Sequence, residues 1–288
     1  MKSIYILISI YNDWKSLKLL LKKINEAVEK MNSCKFNCLI LNDASTIPMP
    51  EIKKPNNINS LKIINMKENK GHARCNAFGI KYLSKKNDYD HLVIMDGDGE
   101  DQPEELVSLV NTAIENKDKS VVAVRIKRSE GLIFKSMYEI HKSLTYFFTG
   151  RLIKFGNYSC LTKENVKHLS EDKSLWSSYS GTLKKNFPNS LEVDSIRGKR
   201  YFGPSKMSLF NLILHSFSII AVFKSVVFLR SAILLIILSF FIKDLGIFVI
   251  FSQICLVFFN LIIYVVSLRE NERDFTNSQA NKKNSILI

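Results

Sequence analysis

The first half of the chain alternates short apolar runs with helical patterns. Ile4–Ile10, Phe36–Leu41, Leu61–Met66, His91–Met95 and Ser120–Arg125 read as strands. Trp14–Met31, Gly71–Leu83 and Pro103–Glu115 read as the helices between them. Strands alternating with helices in this way predict a mostly parallel α/β sheet. Pro103 followed by Glu104 and Glu105 makes a good helix start, because proline suits the first turn and acids complement the dipole there. Most polar motifs fall just after a strand, the edge where open α/β sheets bind ligands. Beyond Gly131 the pattern predicts a helix over Leu132–Phe148 and strands at Asn157–Thr162 and Leu191–Ile196.

The last third changes solvent. Val226–Ile242 and Leu245–Leu268 are apolar runs close to the roughly 20 residues a helix needs to cross a bilayer. Only Lys243-Asp244 separates them, so a two-helix transmembrane hairpin is expected, with both ends on one side. Arg230 can snorkel to the headgroups. Met207–Phe223 carries Asn211, His215 and Ser218 among large apolar residues, as an interfacial helix would. The expected organisation is an α/β domain over 1–200, a juxtamembrane segment over 201–224, two spanning helices over 225–268 and a cytoplasmic tail over 269–288.

With 288 residues there is room for one sizeable domain plus this appendage. The net charge of +14 invites a nucleic-acid reading, yet no interleaved basic and aromatic motif supports one. Arg197, Lys199, Arg200, Lys206, Lys224 and Arg230 instead cluster beside the apolar segments, where anionic headgroups attract them and the positive-inside rule fixes topology. The five cysteines form no metal-type spacing and are expected as free thiols. The N-terminal apolar run is soon interrupted by Asn12-Asp13, too early for a secretory signal. The expectation is an integral protein of a bacterial inner membrane with its N-terminal domain in the cytoplasm.

The strongest chemical signal is His91-Leu92-Val93-Ile94-Met95-Asp96-Gly97-Asp98, a strand delivering two acids into a glycine turn. Such a pair can grip Mg²⁺ or Mn²⁺ together with a diphosphate, and the ion offsets the charge on a departing nucleotide. An ordinary Asp-Gly turn is the bland alternative. A calcium loop is excluded, since Asp101 and Val107 stand where it needs glycine and glutamate. Three further motifs follow strands: Tyr11-Asn12-Asp13, Asn42-Asp43-Ala44-Ser45-Thr46 and Asn69-Lys70-Gly71-His72-Ala73-Arg74. Each alone is an unremarkable loop or cap.

In this order, and ahead of Asp96 and Asp98, these motifs resemble the family 2 glycosyltransferases with the glycosyltransferase A-type fold. More narrowly they look like the dolichyl-phosphate mannose synthase and polyprenyl-phosphate glycosyltransferase branch. The resemblance implies that Tyr11, Asp13, Asp43, Gly71 and Asp96 contact the nucleotide, and that Asp96, Asp98 and Glu100 hold the metal. It implies phosphate contacts by Arg125 and Arg128, which with Asp96 and Asp98 form the catalytic set. Arg200, Gly203, Ser205 and Lys206 look like the Arg-x-x-Gly-x-Ser segment, and Arg200, Ser205 and Lys206 are its candidates for an acceptor phosphate. Headgroup attraction alone would also account for them. Asn42 and Ala44 depart from the family's Asp-Asp-Gly-Ser, which leaves base specificity open. Gly156-Asn157-Tyr158-Ser159 replaces an Asp-Phe-Arg run expected near the acceptor.

The implied reaction is inverting transfer from a UDP- or GDP-sugar to a polyprenyl phosphate, which needs no general base. A hydroxyl of a lipid-linked sugar or glycolipid would need one, and Asp172 of the Glu171-Asp172 pair is the candidate. A catalytically silent membrane adaptor with the same fold is the alternative from another class. A nucleotidyltransferase would leave the hairpin unexplained. The sugar, the polyprenol and the oligomeric state stay open.

Overall fold

The computed structural model describes residues 1–116, 119–127, 132–204 and 208–288, with backbone alone at 127 and 132–135. Every strand expected from the pattern forms: β1 (Lys2–Ile10), β2 (Cys34–Asn42), β3 (Ile58–Met66), β4 (His91–Asp96), β5 (Val121–Lys127), β6 (Phe155–Thr162) and β7 (Leu191–Ile196). An eighth, β8 (Lys282–Leu287), comes from the tail. The sheet order is β7-β5-β6-β4-β1-β2-β3-β8. β4, β1, β2 and β3 run parallel, β6 is antiparallel to both β4 and β5, and β8 is antiparallel to β3.

β1 shows why the strands are apolar throughout. Ile4, Ile6, Ile8 and Ile10 face one layer, where α1 (Trp14–Val28) and later α3 (Leu106–Glu115) pack. Tyr5 and Leu7 face the other, with α2 (His72–Leu83). Covered on both faces, a parallel strand needs no polar side. α1 meets its layer with Trp14, Leu17, Leu20, Leu21, Ile24 and Val28, a stripe at helical spacing. Gly79 lets α2 lie close to the sheet, since a Cβ there would reach within 2.6 Å of Leu7. α4 (Leu132–Thr149), α5 (Lys163–Leu169) and α6 (Tyr179–Asn186) complete this half.

Register aligns the strand ends that carry the motifs. Ile10 lies opposite Asn42, and Ser9 opposite Asp96. The antiparallel pairing of Ile94 with Ser159 brings Asn157 on β6 beside Asp96.

The C-terminal third is helical. α7 (Leu209–Ala221) and α8 (Lys224–Phe240) meet at a bend of 84°. A one-turn α9 (Ile242–Leu245) leads into α10 (Ile247–Ser267), which packs back on α7 and α8. Among the described residues one helix, beginning at Ile247, is long and apolar enough to cross a membrane. Its apolar window has a mean hydropathy of 2.5 and only 22% of it is buried, so most of that surface points out of the protein. α8 has 17 residues and meets the same test only when joined to α7 across their bend. After α11 (Glu272–Thr276) the chain returns to the sheet as β8, in the stretch expected as a short polar tail.

Candidate functional site

The site forms where β1, β2 and β4 end side by side. The loops after β1 and β2 are stitched together: the Asn12 amide donates to Ser45 Oγ (2.8 Å), and Asn12 Oδ1 accepts from the Ile47 amide (2.9 Å). Asp13 begins α1 and accepts from Ser16 Oγ (2.5 Å), while Tyr11 is half exposed. Asp43, 3% exposed, accepts the amides of Lys70 (3.1 Å) and Gly71 (2.9 Å). Gly71 takes φ +88°, a value L side chains seldom adopt, as the chain turns into α2. Burial pushes the Asp43 pKa up, and those two amides and His72 only partly offset it.

The acid turn after β4 holds more charge than its motif suggested. Asp96 accepts from Asn157 Nδ2 (3.0 Å), and its Oδ1 lies 3.1 Å from His72 Nε2. The amides of Asn157 (2.8 Å) and Asn76 (3.0 Å) also crowd that ring nitrogen, and Asn76 is fixed in turn by Ser9 Oγ (2.5 Å). Asp101, 2% exposed, accepts the Asp96 amide (2.9 Å) and faces Arg125 Nη2 at 3.4 Å. Three carboxylates this close cannot all ionise freely. Burial disfavours the charge of Asp96, but His72, Arg125 and Asn157 outweigh it and hold its pKa well below the carboxylate range. Burial and the charge of Asp96 push both Asp98 and Asp101 up.

A strap from residues 197–201 lies over this turn. Arg200 bridges Asp13 and Asp98 at 2.6 Å each, and Arg197 grips Glu100. Gly198 and Tyr201 donate backbone bonds to Glu100 O (2.8 Å) and Asp98 O (2.9 Å). Gly99, at φ +91°, is required here, because a Cβ would land in the Tyr201 ring. Among the described residues no three His, Cys, Asp or Glu side chains converge as metal ligands. Asp98 and Glu100 turn instead to the strap's guanidiniums. The chemistry of Asp96 and Asp98 nonetheless fits a hard divalent ion: oxygen donors on one turn, whose charge already attracts cations.

The structure therefore brings Asp13, Asp43, Gly71, Asp96, Asp98, Glu100 and Arg125 to one sheet edge, with Arg200 among the acids. Arg128, Ser205 and Lys206 lie outside the described residues. Asp172 caps the turn 173–176. Its Oδ1 accepts from the Ser174 amide (2.9 Å) and hydroxyl (2.6 Å), and its Oδ2 from Lys185 (3.0 Å) and Asn186 (2.8 Å). These bonds, Asn186 and Ser174 foremost, overcome the opposing effect of burial and lower its pKa to about 2. A carboxylate so fully engaged is a poor proton acceptor. His72, Asn157 and Asp101 were missed as site residues. His72 and Asn157 sat within quoted motifs, but only the β4–β6 register shows that both meet Asp96.

The model for glycosyl transferase family 2 matches residues 5–166, more than half of the chain and all of the edge just described except the strap. The chain belongs to glycosyl transferase family 2. A curated relative, the undecaprenyl-phosphate 4-deoxy-4-formamido-L-arabinose transferase of Photorhabdus laumondii, is 27% identical over 221 residues, 74% of this chain and 65% of that protein. Its counterpart in Serratia proteamaculans is 25% identical over 221 residues, with the same coverage. The match thus spans slightly under two thirds of these relatives' length. Among solved structures, glucosyl-3-phosphoglycerate synthase of Mycobacterium tuberculosis, in complex with Mn²⁺, UDP and phosphoglyceric acid, aligns at TM-score 0.53 and 13% identity, covering 78% of each chain. S. aureus TarS 1-349 aligns at TM-score 0.50 and 13% identity, covering 85% of this chain and 73% of that one. At such identity these likenesses establish the fold, which is glycosyltransferase A-type.

Proposed function

We propose that this family 2 chain transfers a sugar from a nucleotide sugar to a polyprenyl phosphate, with inversion, at the cytoplasmic face of a bacterial inner membrane. The observation that carries this reading is the meeting of Asp43, after β2, with Asp96 and Asp98, after β4, on either side of the β1 end, in a chain whose relatives are named undecaprenyl-phosphate sugar transferases. Asp43, braced by the Lys70 and Gly71 amides, presents an acceptor edge to the base, and Tyr11 and Asp13 flank the ribose. Asp96 and Asp98, with Glu100, would hold Mg²⁺ or Mn²⁺, which when bound supplies Lewis-acid stabilisation of the departing diphosphate. Arg125 steadies the acid turn through Asp101, and Arg128 remains a candidate phosphate contact. Arg200 is placed to exchange its two carboxylates for phosphate oxygens, a charge-assisted pairing of the same kind. The acceptor phosphate is already an anion, so no side chain need remove a proton. That agrees with Asp172 being fully engaged as a cap.

The hairpin supports a membrane address. α10 is about 30 Å long, enough to cross a hydrocarbon core. Phe240, Ile247, Phe248, Phe251, Ile254, Val257 and Phe258 are all exposed on α8 and α10.

The test is mass spectrometry of lipids after incubating the detergent-purified chain with Mg²⁺ or Mn²⁺, undecaprenyl phosphate and a panel of nucleotide sugars. A glycosyl phospholipid that disappears with Asp98→Asn is expected. Bound nucleotide sugar without product from any donor would overturn the polyprenyl-phosphate acceptor.

A further inference from the structure

The chain that returns from the hairpin joins the sheet as β8, beyond the residues matched by the family model. β8 is mostly exposed and adds little to the core. Its contribution at the site edge is polar. It runs antiparallel to β3, so its first residues lie beside the end of β3, where the parallel strands deliver their loops. Asn42, Asn65 and Asn284 stand opposite one another on β2, β3 and β8, and their side-chain amides form a ladder. Asn42 Nδ2 donates to Asn65 Oδ1 (2.8 Å), and Asn65 Nδ2 donates to Asn284 Oδ1 (2.7 Å).

The ladder continues inward. Asn42 Oδ1 accepts the Ser45 amide (3.0 Å), and Ser45 Oγ accepts the Asn12 amide (2.8 Å), between Tyr11 and Asp13. Asn42 is 7% exposed, with both ends of its amide engaged. An aspartate there could hold the Ser45 amide but could not donate to Asn65. The departure from the family's first acid therefore fits the ladder. A second brace comes from Asn281, just ahead of β8. Its Oδ1 accepts the Glu68 amide (3.1 Å) and its Nδ2 donates to the Glu68 carbonyl (3.0 Å), while its own carbonyl accepts the Lys67 amide (2.7 Å). Glu68 leads into Lys70 and Gly71, whose amides hold Asp43. Both loops at the nucleotide end are thus tied to chain that follows the hairpin. Linked amides reinforce one another, and a loop fixed in advance loses less freedom when a ligand binds.

We propose that Asn65, Asn281 and Asn284 are positioning residues of the donor site, setting the loops of Asn12-Asp13 and Lys70-Gly71 for a nucleoside diphosphate. This rests on the transferase reading above. It makes Asn42 a support for the nucleotide loop instead of a reader of the base, and it makes the post-hairpin chain part of donor recognition.

The test is calorimetric titration of the full-length chain in detergent with UDP and with GDP, each with Mn²⁺ present. Asn284→Val removes the acceptor while favouring a strand. It should weaken the binding of whichever nucleotide wild type takes by about fivefold, the worth of one net hydrogen bond, with no fall in thermal unfolding temperature. Asn284→Asp keeps an acceptor for Asn65 and should stay near wild type. Adding Asn284→Val to Asn42→Ala should cost nothing further, because the ladder is already cut; independent sites would give additive losses. Ser285→Ala, a neighbour on β8 outside the ladder, should bind as wild type does. Wild-type affinity in Asn284→Val, additive losses in the double variant, or equal losses in Ser285→Ala overturns the positioning role and leaves the transferase reading standing. Wild type that binds neither nucleotide overturns the transferase reading, and the positioning role with it.

Discussion

Asp172 shows how a residue can look chemical in sequence and be structural in the fold. Its four accepted bonds stabilise the ionised form, so the folded pKa lies below the unfolded one. The stability it contributes is therefore present above about pH 4 and lost as pH falls through about 2. With the folded pKa at about 2 and the side chain only 14% exposed, Asp172→Asn should cost about 2 kcal/mol near neutral pH. Urea unfolding at stepwise lower pH should show wild type and variant converging as the carboxyl protonates; a constant gap across that range would refute the linkage. The acids at strand ends were legible because each follows an apolar run, and the end of a parallel strand is where ligands gather. Ala44 was legible only as a departure from the family's glycine. In the structure it takes φ +56°, the backbone geometry that explains a glycine there. Asp101 was weighed solely as a missing glycine of a calcium loop, since nothing in its spacing announces that it would be buried against Asp96 and Arg125.

Between elements, the main relation is the strap of residues 197–201 laid on the β4 turn. Sequence reading placed Arg200 near the membrane because it precedes α7. The fold places it on Asp13 and Asp98 because β7 pairs with β5, so the chain leaving β7 must pass the acid edge. Pairing of edge strands is a long-range outcome that local periodicity cannot reveal. A guanidinium on Asp98 competes with any divalent ion for the same oxygens. Arg200→Gln should therefore bind Mn²⁺ more tightly than wild type in the absence of nucleotide, on the order of tenfold, since one charge-assisted pair no longer has to be broken. Titration calorimetry with Mn²⁺ alone reads this directly. Weaker or unchanged Mn²⁺ affinity would mean that the acids do not hold the ion, or that the strap does not compete for them. His72 and Asn157 belong to the same scale: their meeting at Asp96 is a product of β4–β6 pairing.

The path of the whole chain constrains how the hairpin can sit in a membrane. β8 pairs with β3, so the tail after α10 belongs to the same sheet as the N-terminus. A stretch of chain that leaves one folded body and returns to it must cross a bilayer an even number of times. Among the described residues α10 alone meets the length and apolarity of a span, yet it cannot be the single crossing. If α10 crosses, α8 must cross too, although its 17 residues fall a little short of a relaxed span. Phe241 and Ile242 extend its apolar run, and a short helix can also be met by local thinning of the bilayer at modest cost. Arg230, near the start of α8, donates to the Phe147 carbonyl (2.7 Å) at the end of α4, which ties that end of the hairpin to the catalytic body. Even parity gives a sharp expectation for labelling. A cysteine at Asp244, in the turn between α8 and α10, should react with a membrane-impermeant maleimide from the face opposite the catalytic domain. One at Asn277, between α11 and β8, should react only from the catalytic side. Of the natural cysteines, four are buried and Cys255 lies on the apolar face of α10, so background labelling should be low in the native state. Labelling of both positions from the catalytic side alone would leave the hairpin lying in the interface, with zero crossings. Opposite-side labelling of Asn277→Cys would break the β3–β8 pairing itself, and with it the parity on which the two-span arrangement depends.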